Sequence, residues 1–136
     1  MTDTPIDATV VELRDDTFEG AIGGHSLAIV DFWAPWCAPC RAFAPTFAAA
    51  ALKHPDILFA KVNTEDEQGL AAQFNIRSIP TLMVFRDDII VFSQAGALPA
   101  SALEQVIAGA RGLDMDQVRR EIAAQQAAEP ADNSSG

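Results

Sequence analysis

Cys37 and Cys40 are the residues of this sequence whose type and spacing could do chemistry together. They are the only 2 cysteines in 136 residues, and two residues separate them. The apolar run 27–33 before them is typical of a buried strand, and the alanine-rich stretch 41–53 after them is typical of a helix. Unpaired backbone N–H groups at a helix start stabilise a thiolate. We therefore expect Cys37 to be a nucleophile and Cys40, one turn later, to resolve the mixed disulfide that Cys37 forms.

Zinc binding and inert burial are alternative roles for the cysteine pair, and the sequence fits both less well. A Cys-x-x-Cys pair can be half of a zinc site, but zinc needs two further ligands, usually from a second close pair. The remaining histidines, His25 and His54, lie far from each other and from the cysteines in sequence. Two inert buried cysteines would not require Trp36 and Pro39 around them at a strand–helix junction. The sequence therefore predicts a redox dithiol and no metal site.

The composition limits the classes of function. The formal charge is −10, from 9 basic and 19 acidic residues, and no cluster of Lys and Arg is present. Nucleic acids and anionic membranes both attract such clusters, so we expect neither as a partner. Residues 1–10 lack the basic and apolar stretches of a signal peptide, and no apolar run is long enough to span a membrane. The expected compartment is the cytoplasm, where a Cys-x-x-Cys pair is kept reduced and acts catalytically.

The elements that position the cysteines follow from hydrophobic periodicity and turn residues. The short turn at 86–88 predicts a hairpin, and the right-handed crossover rule predicts that the first strands are parallel. The polar and acidic residues 64–67 are expected to cap the third helix and complement its N-terminus, not to bind a metal. The pattern predicts strands near 9–13, 27–33, 57–62, 82–85 and 89–92, and helices that end near residues 22, 54, 74, 110 and 126.

The stretch around the cysteines resembles the thioredoxin family. That family carries Trp-Cys-Gly-Pro-Cys after a strand that ends Val-Asp-Phe-Trp-Ala. This chain has the same pattern at 30–34 and 36–40, with Ala38 in place of the glycine. The resemblance extends from about Val11 to about Gly109. It implies an α/β thioredoxin fold with a five-stranded mixed β-sheet and helices on both faces, to which this chain adds a C-terminal helix.

The resemblance also suggests how the chain is divided. Asp114 with Gln117 forms a capping-box pattern, and apolar residues follow it at helical spacing, so the added helix is expected to be amphipathic. We expect it to dock on its own domain rather than on a partner. The expected segments are a flexible N-terminus at 1–8, a thioredoxin domain at 9–111, the added helix at 112–126 and a disordered tail at 127–136.

Asp31 is unusual for its position, because a carboxylate in the middle of a buried strand is costly. Burial raises a carboxyl pKa into the range that suits a base near neutral pH. The resemblance implies that Asp31 lies beneath Cys40 and moves its proton, and that Lys61 on the adjacent strand is the partner of Asp31. The alternative is a buried pair kept for structure alone.

A second loop is expected to bind the substrate. Ile79 and Pro80 resemble the family's cis-proline loop, which faces the cysteines. Because Pro80 has no N–H, the backbone of Ile79 would be free to pair with an extended substrate segment. The resemblance implies that Trp36, Ile79, Gly96 and Ala97 form an apolar rim, and that Trp33, Pro39 and Pro45 support the site, with Pro45 kinking the long helix.

Two functions from different classes fit these residues. The first is a cytoplasmic protein-disulfide reductase that acts as a monomer on disulfide-containing proteins, with no metal or organic cofactor. Its redox centre is the Cys37–Cys40 disulfide, and thioredoxin reductase supplies the electrons from NADPH. The second is a thioredoxin-fold binding or cochaperone-like module with incidental redox activity, which the added helix would suit. The complete set of site residues favours the first, although Ala38 leaves the reduction potential open.

Overall fold

The computed structural model describes residues 10–128 of the chain. The segments 1–9 and 129–136, which contain the expected flexible start and most of the expected tail, lie outside the described residues. No helix within the described part is long and apolar enough to cross a membrane. The elements in chain order are β1 (Val11–Glu12), α1 (Phe18–Gly23), β2 (Leu27–Trp33), α2 (Ala38–Lys53), β3 (Leu58–Asn63), α3 (Gln68–Gln73), β4 (Thr81–Arg86), β5 (Ile89–Ala95), α4 (Ala100–Arg111) and α5 (Met115–Ala128).

The strands form one five-stranded mixed sheet in the order β1-β3-β2-β4-β5, as predicted. β1 and β2 both run parallel to β3, whereas β4 is antiparallel to β2 and β5 is antiparallel to β4. β2 is the central strand, and six of its seven residues are buried. Its continuous apolar sequence is what a strand covered on both faces requires. The end of β2 leads directly into the cysteines.

Alternation along β2 sorts its side chains between two hydrophobic clusters. Leu27 and Ile29 pack with residues of α2 and α4, such as Phe47 and Leu103. The intervening residues of β2 pack with α1 and α3 on the opposite face of the sheet. Because side chains alternate in direction along a strand, Asp31 shares the face covered by α2 and α4. Because of this alternation, the Asp31 carboxylate lies on the side of the sheet that the cysteine-bearing helix covers.

The hairpin between β4 and β5 differs from the prediction in length. β5 continues to Ala95 instead of ending near residue 92, and Ala95 pairs with Thr81. Asp87 and Asp88 form the turn with φ angles of 52° and 70°. Both angles lie in the left-handed region, which Asp tolerates better than most residues. The aspartates therefore allow the tight turn that glycine often provides.

Two helix starts test the capping predictions, with different outcomes. α3 has no side-chain cap, and Thr64 Oγ1 instead donates to the Trp33 carbonyl at 3.1 Å. α5 is capped as predicted, since Asp114 Oδ1 accepts from the Gln117 amide at 3.2 Å. The long helix α2 runs without interruption through Pro45.

α5 is attached to the rest of the molecule at its first two turns. Met115 is buried, and Val118 and Ile122 are half-buried, which matches the predicted apolar stripe. Arg119 forms an ion pair of 2.7 Å with Asp87 in the β4–β5 turn. The helix therefore contacts its own chain, in line with the expectation from sequence.

Candidate active site

Cys37 and Cys40 form a disulfide at the N-terminus of α2, with their Cα atoms 5.2 Å apart. Cys37 is the N-cap, with an extended backbone at φ −88° and ψ 111°. Its Sγ accepts a hydrogen bond from the Cys40 backbone N–H at 3.2 Å. A backbone amide that already points at this sulfur would stabilise a thiolate on Cys37 once the disulfide is reduced. The first cysteine therefore has the better environment for a nucleophile.

The loop before β4 approaches the cysteines from the side. The Ile79–Pro80 peptide bond is cis, as the resemblance implied. Cys37 Sγ lies 3.8 Å from the Ile79 carbonyl oxygen, and Ile79 packs against the cluster that contains both cysteines. The Gly96 amide donates to the Pro80 carbonyl at 2.7 Å, and Gly96 has a φ of 101°, which favours glycine. Gly96 and Ala97 are exposed beside this loop.

Trp36 is the most exposed large apolar residue at the site, with 64% of its surface accessible. Its indole Nε1 donates to Glu65 Oε2 at 2.8 Å. The backbone of Glu65 is itself fixed, because its amide donates to Asn63 Oδ1 at 2.9 Å. Sequence reasoning assigned Glu65 to helix capping and missed this contact. Its position directly after β3, the parallel neighbour of β2, is the signal that could have indicated it.

Arg41 is a second residue that sequence reasoning missed. Its guanidinium donates to the Pro35 carbonyl at 2.8 Å and so ties α2 to the loop that leads into it. Pro39, the second residue of α2, is exposed next to the cysteines. Pro45 lies further along α2, in a groove between α2 and α4, and the structure does not bring it to the cysteines.

Asp31 is buried in the centre of the sheet, with 3% of its surface exposed. Its Oδ1 has no hydrogen-bond partner among residues 10–128. Burial raises the pKa of this carboxyl from 3.8 to about 7, and the positive charge of Lys61 offsets part of that rise. A carboxyl with this pKa can accept and release a proton near neutral pH.

Lys61 faces Asp31, the partner that the resemblance implied, at a longer range than an ion pair. Lys61 and Asp31 are neighbours in register on β3 and β2, but no ion pair joins them in the described part of the chain. The Lys61 ammonium instead lies over the indole ring of Trp33, 4.7 Å from its centroid. Trp33 Nε1 is buried and has no hydrogen-bond partner within the described residues. Lys61 therefore influences Asp31 through its field and not through direct contact.

Within residues 10–128, no three His, Cys, Asp or Glu side chains are grouped closely enough to hold a metal ion. What the site does contain is a disulfide at a helix N-terminus, a backbone carbonyl beside it, and a buried carboxyl on the face of the sheet beneath α2. This arrangement suits thiol–disulfide exchange.

Comparisons with known proteins agree with this chemistry. The thioredoxin family model matches residues 9–109. A Streptomyces coelicolor protein described as a thioredoxin 2 is 48% identical over 119 residues, which cover 88% of this chain and 89% of that protein. The thioredoxin of Porphyra purpurea is 41% identical over 101 residues, covering 73% of this chain and 94% of that protein. The solved structure of a mutant thioredoxin from Halobacterium salinarum matches with a TM-score of 0.72 and 25% identity, covering 83% of this chain and 98% of that chain.

Proposed function

This chain belongs to the thioredoxin family, and from that membership we propose how its residues divide the work of reducing protein disulfides. The chain is a thiol–disulfide oxidoreductase, and its Cys37–Cys40 disulfide is the redox-active centre. Its substrates are proteins that contain disulfides. The observation that carries the assignment of roles is the position of Cys37, which is the N-cap of α2 and lies beside the Ile79 carbonyl.

In the proposed reaction, the reduced protein attacks with the Cys37 thiolate. One substrate sulfur bonds to Cys37 Sγ, the substrate disulfide breaks, and the other substrate sulfur leaves as a thiolate that takes up a proton. Cys40 then loses its proton and attacks Cys37 Sγ. The mixed disulfide breaks, the substrate leaves as a dithiol, and the protein retains the Cys37–Cys40 disulfide. Two electrons have passed to the substrate.

We assign Asp31 the role of accepting the proton from Cys40. Its raised pKa supports this role, because a carboxyl that titrates at about 7 can take a proton from a thiol and return it to solvent in each cycle. Lys61 is assigned the weaker role of lowering that pKa through its positive charge. Both roles follow from the family resemblance, and the surroundings of Asp31 and Lys61 support them.

The substrate segment is proposed to lie along the loop that contains Pro80. The backbone of Ile79 would pair with it as a short added strand. Trp36, Gly96 and Ala97 are exposed around this loop and would form the rim that covers the substrate disulfide. We also propose that residues 9–111 form the redox domain and that 112–126 are an addition to it.

Thioredoxin reductase is the proposed source of electrons, and NADPH is their ultimate donor. After each turnover the dithiol must be regenerated, which requires a reducing compartment, so we propose that the protein works in the cytoplasm as a monomer. The alternative of a binding module with incidental redox activity is not favoured, because the relatives named above are thioredoxins along most of their length.

An insulin-reduction assay tests the proposal. The protein is mixed with thioredoxin reductase, NADPH and insulin, and NADPH oxidation and insulin precipitation are followed. We expect sustained turnover, and none with a Cys37→Ser/Cys40→Ser control. Chemically reduced protein that leaves insulin disulfides intact would overturn the assignment. Reduction of insulin without regeneration by the reductase would show that only the electron source is wrong.

A further inference from the structure

The Lys61 side chain has two partners within its reach, Asp31 and Trp33. Asp31 is its neighbour in register on β2, and Trp33 is two residues further along the same strand and on the same face. The ammonium lies over the Trp33 ring, 4.7 Å from the centroid, while Asp31 Oδ1 remains without a hydrogen-bond partner in the described structure. The arrangement therefore separates a cation from the buried carboxylate next to it.

The position of the ring is set by the active site itself. Trp33 packs against the cluster formed by Ala34, Cys37 and Cys40. The face of an indole ring attracts a cation, and it does so more strongly where little water remains. Lys61 is half-buried, whereas Asp31 is almost fully buried, so moving the ammonium to the carboxyl would remove more of its water. Over the ring, Lys61 gains an electrostatic partner and keeps part of its hydration.

A lysine in direct contact with Asp31 would alter the chemistry. An ammonium at ion-pair distance favours the ionised carboxylate and makes it a poorer proton acceptor. Lys61 on β3 is the charged group that faces Asp31, while its neighbour on β4 is the apolar Leu82. Cys37 and Cys40, on the helix that covers this face, are held in the disulfide. The position of the Lys61 ammonium therefore determines how readily Asp31 accepts a proton.

We propose that Trp33 is a positioning residue for proton transfer: by holding the Lys61 ammonium over its ring, it keeps Asp31 without a close counter-ion. The proposal rests on the proposed role of Asp31 as the proton acceptor for Cys40. Trp33 then links the active-site turn, which fixes its ring, to the carboxyl beneath α2. Burial dominates the pKa of Asp31 and Lys61 lowers it only in part, as expected for a cation held at a distance.

The test is a double-mutant titration of Asp31 in the oxidised protein, in which the cysteines do not titrate. The side-chain carboxyl of Asp31 is followed by ¹³C NMR across pH in wild type, Trp33→Leu, Lys61→Gln and the double variant. Trp33→Leu should free Lys61 to approach Asp31 and lower the midpoint by about one pH unit, a roughly tenfold loss of proton affinity. Lys61→Gln should raise the midpoint. In the Lys61→Gln background, Trp33→Leu should change it little.

Two results would overturn the proposal. The first is an unchanged midpoint in Trp33→Leu. The second is an equal drop with and without Lys61, because water admitted to the space left by the indole would act in both backgrounds. Trp33→Phe, which keeps an aromatic ring of weaker cation affinity, covers the case in which Trp33→Leu does not fold. It should give a smaller drop that also disappears in the Lys61→Gln background.

A kinetic measurement separates this proposal from the role of Asp31. The resolution of a preformed mixed disulfide on Cys37 is followed in a single turnover across pH for wild type, Trp33→Phe and Asp31→Ala. The pH profile should move to lower pH in Trp33→Phe, in parallel with the NMR midpoint. If the NMR coupling is present but Asp31→Ala resolves at the normal rate, the positioning of Lys61 stands and the catalytic role of Asp31 falls.

Discussion

Cys37 and Cys40 occupy different positions on α2, and the difference predicts what each will do when its partner is removed. Both are buried, but Cys37 is the N-cap and lies beside the Ile79 carbonyl, whereas Cys40 is one turn further into the helix. Cys40→Ser should therefore accumulate mixed disulfides with target proteins, since Cys37 still attacks and nothing resolves the product. Cys37→Ser should accumulate none. The measurement is a pull-down with each variant, and equal yields would contradict the assigned order of attack.

Asp31→Ala should slow turnover and stabilise the oxidised fold at alkaline pH. The pKa of Asp31 is about 7 in the folded protein, whereas the ordinary pKa of this carboxyl is 3.8, so the unfolded chain ionises it more easily. The contribution of the protonated carboxyl to folding stability is complete below pH 3.8 and is lost as the pH rises to about 7. The loss is about 4 kcal/mol at pH 8. Removal of the carboxyl should recover about 2–3 kcal/mol of this, after the cost of a small cavity.

Denaturant unfolding at pH 4 and pH 8 measures this effect, with insulin turnover recorded alongside. The stability gain of Asp31→Ala should be large at pH 8 and small or absent at pH 4. Asp16→Ala is the matched control: its only ion pair among the described residues, with Arg14, is solvent-exposed, so it should show neither change. A variant that is less stable than wild type at pH 8 would identify Asp31 as a structural group. Normal turnover would remove its role as a base.

At the level of secondary structure, a polar network joins the C-terminal end of α2 to α4. His54 Nε2 pairs with Glu104 Oε1 at 2.8 Å, and His54 Nδ1 lies 3.1 Å from an Arg111 nitrogen. A guanidinium only donates, so Nδ1 accepts and the Nε2–H donates to Glu104. Arg111 also binds both carboxylate oxygens of Asp56, at 2.7 and 3.0 Å. His54, which the sequence presented only as an unsuitable zinc ligand, therefore links α2 to α4.

Arg111→Met should lower the stability of the fold at neutral pH without changing turnover, because the network lies at the far end of α2 from the cysteines. The Arg111 hydrogen bonds lower the pKa of Asp56 to about 2. Their contribution to stability is therefore present above the ordinary carboxyl pKa of 3.8 and is lost as the pH falls to about 2. The melting temperatures of variant and wild type should differ by a few degrees at most at pH 7, because the pair is exposed, and should converge in acid.

Arg120→Met provides the control for Arg111→Met. Arg120 is an exposed arginine of α5 that forms no ion pair in the part of the chain that the structure describes. Its replacement should leave the melting temperature unchanged at every pH. If Arg111→Met keeps the same deficit down to pH 2, its effect comes from lost packing of the side chain and not from the charge of Asp56.

For the molecule as a whole, we expect that the chemistry does not require α5. Deletion of residues 115–136 should leave insulin turnover nearly intact, because every residue assigned a chemical role precedes them. Loss of the buried Met115 should cost about 1–3 kcal/mol of stability. Turnover and denaturant unfolding of the truncated chain measure both effects.

Arg119→Ala in the full chain separates the two attachments of α5. It removes the ion pair with Asp87 while Met115 remains, and it should cost less stability than the deletion. Turnover that disappears while the truncated domain stays folded would contradict the prediction and show that α5 takes part in the reaction or in docking to the reductase.

Features that depend on neighbouring residues could be predicted from the amino-acid sequence. The spacing of Cys37 and Cys40, the bounds of the apolar strand Leu27–Trp33, the hairpin turn at 86–88 and the cap at Asp114 all match the structure. Each depends on interactions within a few positions along the chain, or on a hydrophobic period that packing does not override. The resemblance supplied the cis bond at Pro80, which an X-Pro sequence alone would not have indicated.

The contacts between polar groups depend on how distant parts of the chain come together. Glu65 binds Trp36 across 29 positions, and Arg111 reaches His54 across 57. Lys61 is the neighbour of Asp31 in register, but its ammonium lies over the ring of Trp33. A long polar side chain has several partners within reach, and desolvation and packing select among them by differences of about 1 kcal/mol. These free-energy differences cannot be predicted from residue spacing, because they arise only when distant segments of the chain enclose the same polar groups.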